Sequence, residues 1–352
     1  MFAADSKDLS TCLHDASRVG AGPSWKQIID PVEPFLDAVT QRLCGQIDSF
    51  DPEIRPYAEY ALKGQGKHLR PALVALTGQA LGQTGDAHIT VSVIIEMVHL
   101  ATLVHDDIMD EAEIRRGKLT VAANWGNDIA VLFGDCLFAQ ALVLAASFPT
   151  PDVCRAVAQA TNTVCTGEIL QTRYRGDFNL TNERYFKMLE MKTAELFALS
   201  CSLSAYITSK NQDHRNALRK FGMAFGTAYQ IYDDCLDVFG SESVAGKSLG
   251  TDLAKGKVTL PVLLTRERAS VADKQRLETL VRNRTPSGPK ELGELLEKYE
   301  ALNGSLEVFR RYLDDARAAI QGLPLKTVDL VSLTDYLARQ ASSLGTVSHS
   351  AS

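Results

Sequence analysis

Two aspartate triplets with the same internal spacing sit far apart in this 352-residue chain: Asp106, Asp107 and Asp110 in "HDDIMD", and Asp233, Asp234 and Asp237 in "YDDCLDV". Carboxylates this close repel one another unless a cation lies among them. On a helix of 3.6 residues per turn, Asp106 and Asp110 lie about 40° apart around the axis and His99 about 20° from Asp106, so one edge carries them all. A single D-D-x-x-D reads equally well as a solvated acidic face. Two features oppose that reading. Each triplet closes an apolar run, "ITVSVIIEMVHLATLV" and "FGMAFGTAYQIY", so the acids emerge from buried helices, and the pattern occurs twice. Two such edges need a shared partner. Mg²⁺ suits them, because it binds through few carboxylates and keeps waters and phosphate oxygens in its shell. The natural occupant is Mg²⁺ bridging a diphosphate. Glu96 and His99 form an E-x-x-H of the kind found in di-iron bundles, but those sites need a second such motif and the sequence has none.

A diphosphate calls for cations, and several lie between the acidic helices. In "GQGKHLRPAL", Lys67 and Arg70 flank a predicted helix start with Pro71 suited to its first position, where free N–H groups and the dipole favour an anion. Arg115-Arg116, Lys192-Thr193 in "EMKTAELF", and Lys247, Lys255 and Lys257 in "GKSLGTDLAKGKVTLP" can build a second anion pocket. Singly, each reads as surface charge.

Helical periodicity fills the chain, and alternation of period two is nearly absent, which predicts an all-α fold. Helices are expected over roughly 52–62, 70–82, 87–112, 119–147, 152–172, 182–208, 213–240, 258–270, 272–283, 289–302, 303–321 and 328–342. Thr150 before Pro151 and Thr181 before Asn182-Glu183 read as N-caps, and Gly82, Gly117, Gly176 and Gly240 as helix stops. No repeat or linker divides the chain. One domain is expected over 26–342, between tails at 1–25 and 343–352. The long apolar run Ile129–Phe148 is broken by Asp135 and Gln140 and reads as a core helix, with no transmembrane segment. A net charge of -6 excludes a general nucleic-acid binder. Seven cysteines without a C-x-x-C pair, and no basic-then-apolar leader, point to a reducing, cytoplasmic setting.

The ordered set of two D-D-x-x-D motifs, "GKHLRP", "RRG", "KT" and "GK…GTD…GKVTLP" resembles the trans-isoprenyl diphosphate synthases of the polyprenyl synthetase family, from about Pro52 to near Arg339. The resemblance implies a single helical bundle around a deep central cavity (the isoprenoid synthase type), a homodimer, and condensation of isopentenyl diphosphate with an allylic diphosphate (dimethylallyl, geranyl or farnesyl). It assigns Asp106, Asp107, Asp110, Asp233, Asp234 and Asp237 to Mg²⁺. Arg115, Lys192, Lys247 and Lys257 would contact the allylic diphosphate, with Thr193 and Gln230 near the reacting carbon. Gly66, Lys67, Arg70, His99 and Arg116 would form the isopentenyl diphosphate pocket. Gln65, His68 and Tyr229 depart from the family pattern.

The resemblance also explains why no Ser–His–Asp set is needed. The allylic C–O bond ionises, the second substrate attacks, and the released diphosphate takes the final proton. A closing segment from Gly240 to Lys257 is expected to exclude water. Ala101 and Thr102, just below Asp106, would set the floor for the growing chain. Both are small, which implies a product longer than fifteen carbons, of medium or long chain. A deeper floor would lie near Val131, Leu132 and Phe138. A short-chain synthase, a class I terpene cyclase and a regulatory subunit of a heteromeric synthase are the alternatives.

Overall fold

The structure is a computed structural model that describes residues 22–63, 66, 68–240, 250–282 and 288–344. Helices α1 (Trp25–Ile29), α2 (Glu33–Gly45), α3 (Arg55–Leu62), α4 (Leu69–Ala80), α5 (Asp86–Met109), α6 (Val121–Trp125), α7 (Asn127–Ala146) and α8 (Asp152–Arg173) form the first half. Then come α9 (Asn182–Leu189), α10 (Glu195–Thr208), α11 (Gln212–Phe239), α12 (Thr251–Ala254), α13 (Leu260–Arg268), α14 (Val271–Arg282), α15 (Gly288–Lys298), α16 (Ala301–Ile320) and α17 (Val328–Ser342). A two-stranded hairpin, β1 (Ile114–Arg115) with β2 (Lys118–Leu119), interrupts the helices after α5.

The centre of the bundle is α10, whose residues Glu195 to Ala205 are all buried. A helix apolar on every side has no solvent face to keep. It packs against α4, α5, α8 and α11. The polar groups it carries inward are satisfied locally, as where Ser204 Oγ donates to the Val74 carbonyl of α4 at 2.7 Å. Acidic helices α5 and α11 therefore approach one another across α10. Their apolar runs are the core, and their aspartates lie at their ends.

Several local expectations are met. Thr181 accepts from the Arg184 N–H as the cap of α9, and Gly82 and Gly176 adopt positive φ just past α4 and α8. Others are corrected. Thr150 does not cap α8, which starts at Asp152 after Pro151; the Thr150 hydroxyl instead bonds Asp152 and Tyr206. Gly117 turns the hairpin, α5 having stopped eight residues earlier. Pro71 stands third in α4, where its missing N–H is still one that no helical carbonyl would have reached. The run 119–147 divides at Gly126, whose φ of 89° no helix accommodates. The run 182–208 contains a π turn, Glu190–Ala194.

Both α5 and α7 are long and apolar enough to cross a membrane by length and composition. They differ in burial. Of the most apolar window of α5, 56% is buried, against 33% for α7, which packs Ala130, Phe133, Leu137, Ala141 and Ala145 into the core and leaves another face uncovered. Val131, Leu132, Leu142 and Val143 lie exposed on it.

Candidate active site

Asp110 is the C-cap of α5, and Asp106 and Asp107 occupy its last turn. That end of a helix carries unsatisfied carbonyls and the negative pole of the dipole, so clustered acids there are unfavourable without cations. Cations surround them. Lys192 Nζ lies 3.3 Å from Asp106, Arg115 Nε 2.8 Å from Asp107, and Lys257, Lys255 and Arg175 lie 2.8, 3.3 and 2.9 Å from Asp110. Arg115 reaches Asp107 because the hairpin folds back after α5, with the Ala112 N–H donating to the Asp107 carbonyl. Burial pushes the Asp107 carboxyl above its usual range despite Arg115. Burial acts the same way on Asp110, but the hydrogen bond and charge of Lys257, with Lys255, prevail and hold that carboxyl low.

The second triplet lies in the last two turns of α11. Asp234 accepts from Tyr185 Oη at 2.5 Å and from Gln230 Nε2 at 2.8 Å, which occupies both of its oxygens. Burial raises its carboxyl to about 8, with the charge of Asp252 adding to the effect. Asp237 accepts from the Asp252 N–H through Oδ2, and its carbonyl accepts from the Gly250 N–H, so it fastens the start of α12. Beside the ion-binding role expected of all six acids, these two have partners within the protein. Asp234 and Asp237 are buried and engaged in holding the fold, and Asp233 is the more accessible acid of the second triplet.

Two polar bridges join the triplets. On one side, neighbouring residues of the π turn part ways: Lys192 reaches Asp106, while the Thr193 hydroxyl donates to Gln230 at 2.9 Å, and Gln230 in turn holds Asp234. A π turn inserts one residue into a helix and rotates the side chains that follow, which lets adjacent residues serve α5 and α11. On the other side, Lys257 lies 2.8 Å from Asp110 and 3.7 Å from Asp252, which binds Asp237.

A second cationic cluster lies at the start of α4. A Cβ placed on Gly66 would come within 2.9 Å of Arg116 Nη1, and the guanidinium of Arg70 stands 4.7 Å from the Phe197 ring centroid. Burial, then the charges of Arg70 and Arg116, hold His99 well below its ordinary value, so it is a neutral imidazole. Arg70 Nε is buried without a hydrogen-bond partner. The charge of Glu96 acts on Arg70. Glu96 also lies 3.4 Å from His68, the left-handed residue (φ 44°) before α4. Lys67 and Lys247 lie outside the described residues, as do Gln65 and most of the expected closing segment, 241–249. Ala101 is wholly enclosed and Thr102 half-buried, its hydroxyl donating to the His99 carbonyl. Val131 and Leu132 face outward and so do not floor a cavity within this chain, whereas Phe138 packs against the His105 ring.

Sequence reasoning missed Arg175, Tyr185, Glu168 and Gln171. Glu168 Oε1 lies 2.5 Å from Lys192, and burial together with the nearby Asp106 raises its carboxyl to about 7. Its place on an amphipathic helix gave no signal of this. Arg175 lies just past the helix expected over 152–172, in no motif that the sequence offers.

The donor set suits a hard divalent cation. Asp106 Oδ1 is buried and has no hydrogen-bond partner, and the surrounding acids offer only oxygen. Among the described residues no three His, Cys, Asp or Glu side chains gather tightly enough to chelate an ion unaided. An ion held there would complete its shell with water or phosphate oxygens.

The polyprenyl synthetase family model matches residues 51–299. Octaprenyl diphosphate synthase of Escherichia coli strain K12 is 34% identical over 293 residues, covering 82% of this chain and 90% of that one. Heptaprenyl diphosphate synthase component 2 of Bacillus subtilis is 34% identical over 293 residues, 82% of each. The polyprenyl synthase of Caulobacter crescentus, solved in complex with calcium and isoprenyl diphosphate, superposes with a TM-score of 0.82 at 31% identity, covering 90% of this chain and 96% of that one. An all-helical bundle whose paired aspartate triplets are bridged by lysines, matched to these relatives over most of its length, belongs to the polyprenyl synthetase family and is a prenyltransferase.

Proposed function

We propose that the chain condenses an allylic diphosphate with isopentenyl diphosphate in a Mg²⁺-dependent reaction, giving an all-trans polyprenyl diphosphate of medium or long chain. The observation that carries this reading is the double bridge between the acidic triplets, set apart from the Arg70–Arg116–His99 cluster. It provides for two diphosphates with separate partners. The octaprenyl and heptaprenyl relatives support the product class, and the calcium and isoprenyl diphosphate of the Caulobacter protein support an ion and a diphosphate together.

Asp106, Asp110 and Asp233 would hold the magnesium, which supplies charge neutralisation to the leaving diphosphate as the allylic C–O bond ionises. Lys192, Arg115 and Lys257, with Lys247, bind that same group, and their positive charges favour the transition state over the ground state as negative charge grows. Thr193 and Gln230 orient the site beside the reacting carbon. Arg70, Arg116, His99, Lys67 and the Gly66 N–H anchor isopentenyl diphosphate so that its double bond meets the allylic carbon, which supplies proximity. Neutral His99 can donate a hydrogen bond without adding charge. The bond between the two substrates forms as the cation is captured, and the proton lost next goes to the released diphosphate.

The test incubates the purified chain with radiolabelled isopentenyl diphosphate, each of the three allylic starters and magnesium, and sizes the dephosphorylated products by chromatography. Elongation beyond fifteen carbons, abolished by a chelator, is expected. Absence of elongation with every starter would overturn the reading, and a cyclic hydrocarbon would replace it with a cyclase.

A further inference from the structure

Lys192 is held from a direction that its role as a diphosphate contact does not explain. Its ammonium lies 2.5 Å from Glu168 Oε1, donates to Gln171 Oε1 at 2.8 Å, and lies 3.3 Å from Asp106 Oδ2. Three side-chain oxygens surround the ammonium, and two of them stand on one face of α8, three residues apart. The same face lets the π turn come close. A Cβ on Gly167 would stand 2.7 Å from the Lys192 backbone nitrogen and 3.0 Å from Met191 Cβ, nearer than packed atoms allow. Glycine at 167 therefore sets the separation at which Glu168 and Gln171 reach Lys192. Lys192 and Glu168 are both largely buried, with side chains 22% and 13% exposed, so their charges are poorly screened by solvent.

We propose that Gly167, Glu168 and Gln171 form a seat for Lys192, and that Glu168 is a positioning residue that divides this lysine between the protein's carboxylates and a diphosphate. This inference rests on the reading of Asp106 as an ion ligand and Lys192 as a diphosphate contact. Glu168 draws Lys192 away from Asp106 and leaves Asp106 available to an ion. It also compensates part of the lysine's charge while no diphosphate is bound. Neutralising Glu168 then has two effects of opposite sign. Lys192 turns to Asp106, its remaining charged partner, and competes with the ion. At the same time its charge is less compensated, and it attracts an anion more strongly.

The experiment titrates the full-length protein with inorganic pyrophosphate by calorimetry, first in a chelator and then over a series of magnesium concentrations, for the native chain, Glu168→Gln and Glu168→Asp. In Glu168→Gln, metal-free pyrophosphate is expected to bind about three- to tenfold more tightly, while the magnesium concentration giving half-maximal enhancement rises by a similar factor. Glu168→Asp keeps the charge and should restore the native magnesium requirement in large part. Melting temperatures recorded alongside separate this from loss of fold. A purely structural salt bridge would lower the melting temperature and move both affinities in the same direction or not at all, and either result overturns the seat. If the native chain itself fails to bind pyrophosphate with magnesium, the reading of the site falls and the seat with it.

Discussion

Asp234 shows how one position in a motif can serve the scaffold. Both of its oxygens accept hydrogen bonds from Tyr185 and Gln230, yet burial and the neighbouring Asp252 leave ionisation unfavourable, with the carboxyl raised from an ordinary 3.8 to about 8. Between those values the native state keeps a proton that the unfolded chain has released, so the group's contribution to stability falls as pH rises across that window. Asp234→Asn removes the proton equilibrium while keeping a polar partner for Tyr185. Its melting temperature in chelator, relative to the native chain, is expected to rise steadily from about pH 5 to about pH 8. A constant difference would mean that the carboxylate is ionised throughout. Spacing alone made the six aspartates legible, because charge repulsion and helical phase are both written in the sequence. Which of them turn inward was not legible, since that depends on Tyr185, remote in the chain and unmarked by any pattern, and on Asp252 of the GTD element, whose partners its spacing does not reveal.

At the scale of elements, the apolar helices could be read because burial imposes a period, and α5, α8 and α11 end within a few residues of expectation. Breaks in that period were harder to see. The π turn at Glu190–Ala194 adds one residue without altering composition, and the hairpin of β1 and β2 is too short to establish an alternation. α1 and α2 were missed, being short or proline-interrupted at their starts. α5 also bears on product length. Ala101 is fully enclosed one turn below the acids, so Ala101→Phe forces a ring into space already filled and should lower stability by about 1–3 kcal/mol. The product distribution is expected to shift towards shorter chains, measured by chromatography of dephosphorylated products. An unchanged distribution in a folded variant would remove this position from the floor.

At the scale of the molecule, α7 leaves an apolar face uncovered. Leu132 and Val143 are each 62% exposed, with Val131 and Leu142 on the same helix and Ile169 on neighbouring α8. Exposed apolar side chains grouped on one helix are what an interface between subunits would cover, in keeping with the homodimer expected for the family. Leu132→Glu combined with Val143→Glu should halve the mass measured by light scattering from twice 38.4 kDa to that of one chain. A native chain that runs as a monomer would refute the assembly, and a double variant that stays dimeric would move the interface elsewhere. The π turn has a further consequence for how the ends of the two acidic helices are joined. Lys192 and Thr193 are joined by a peptide bond, about 3.8 Å between Cα atoms, yet each grips a different acidic helix. The ends of α5 and α11 are stitched together there as pages are at a spine. At the opposite margin the link is made by a long lysine side chain and a four-residue helix, so one margin is bound through adjacent backbone and the other through side chains.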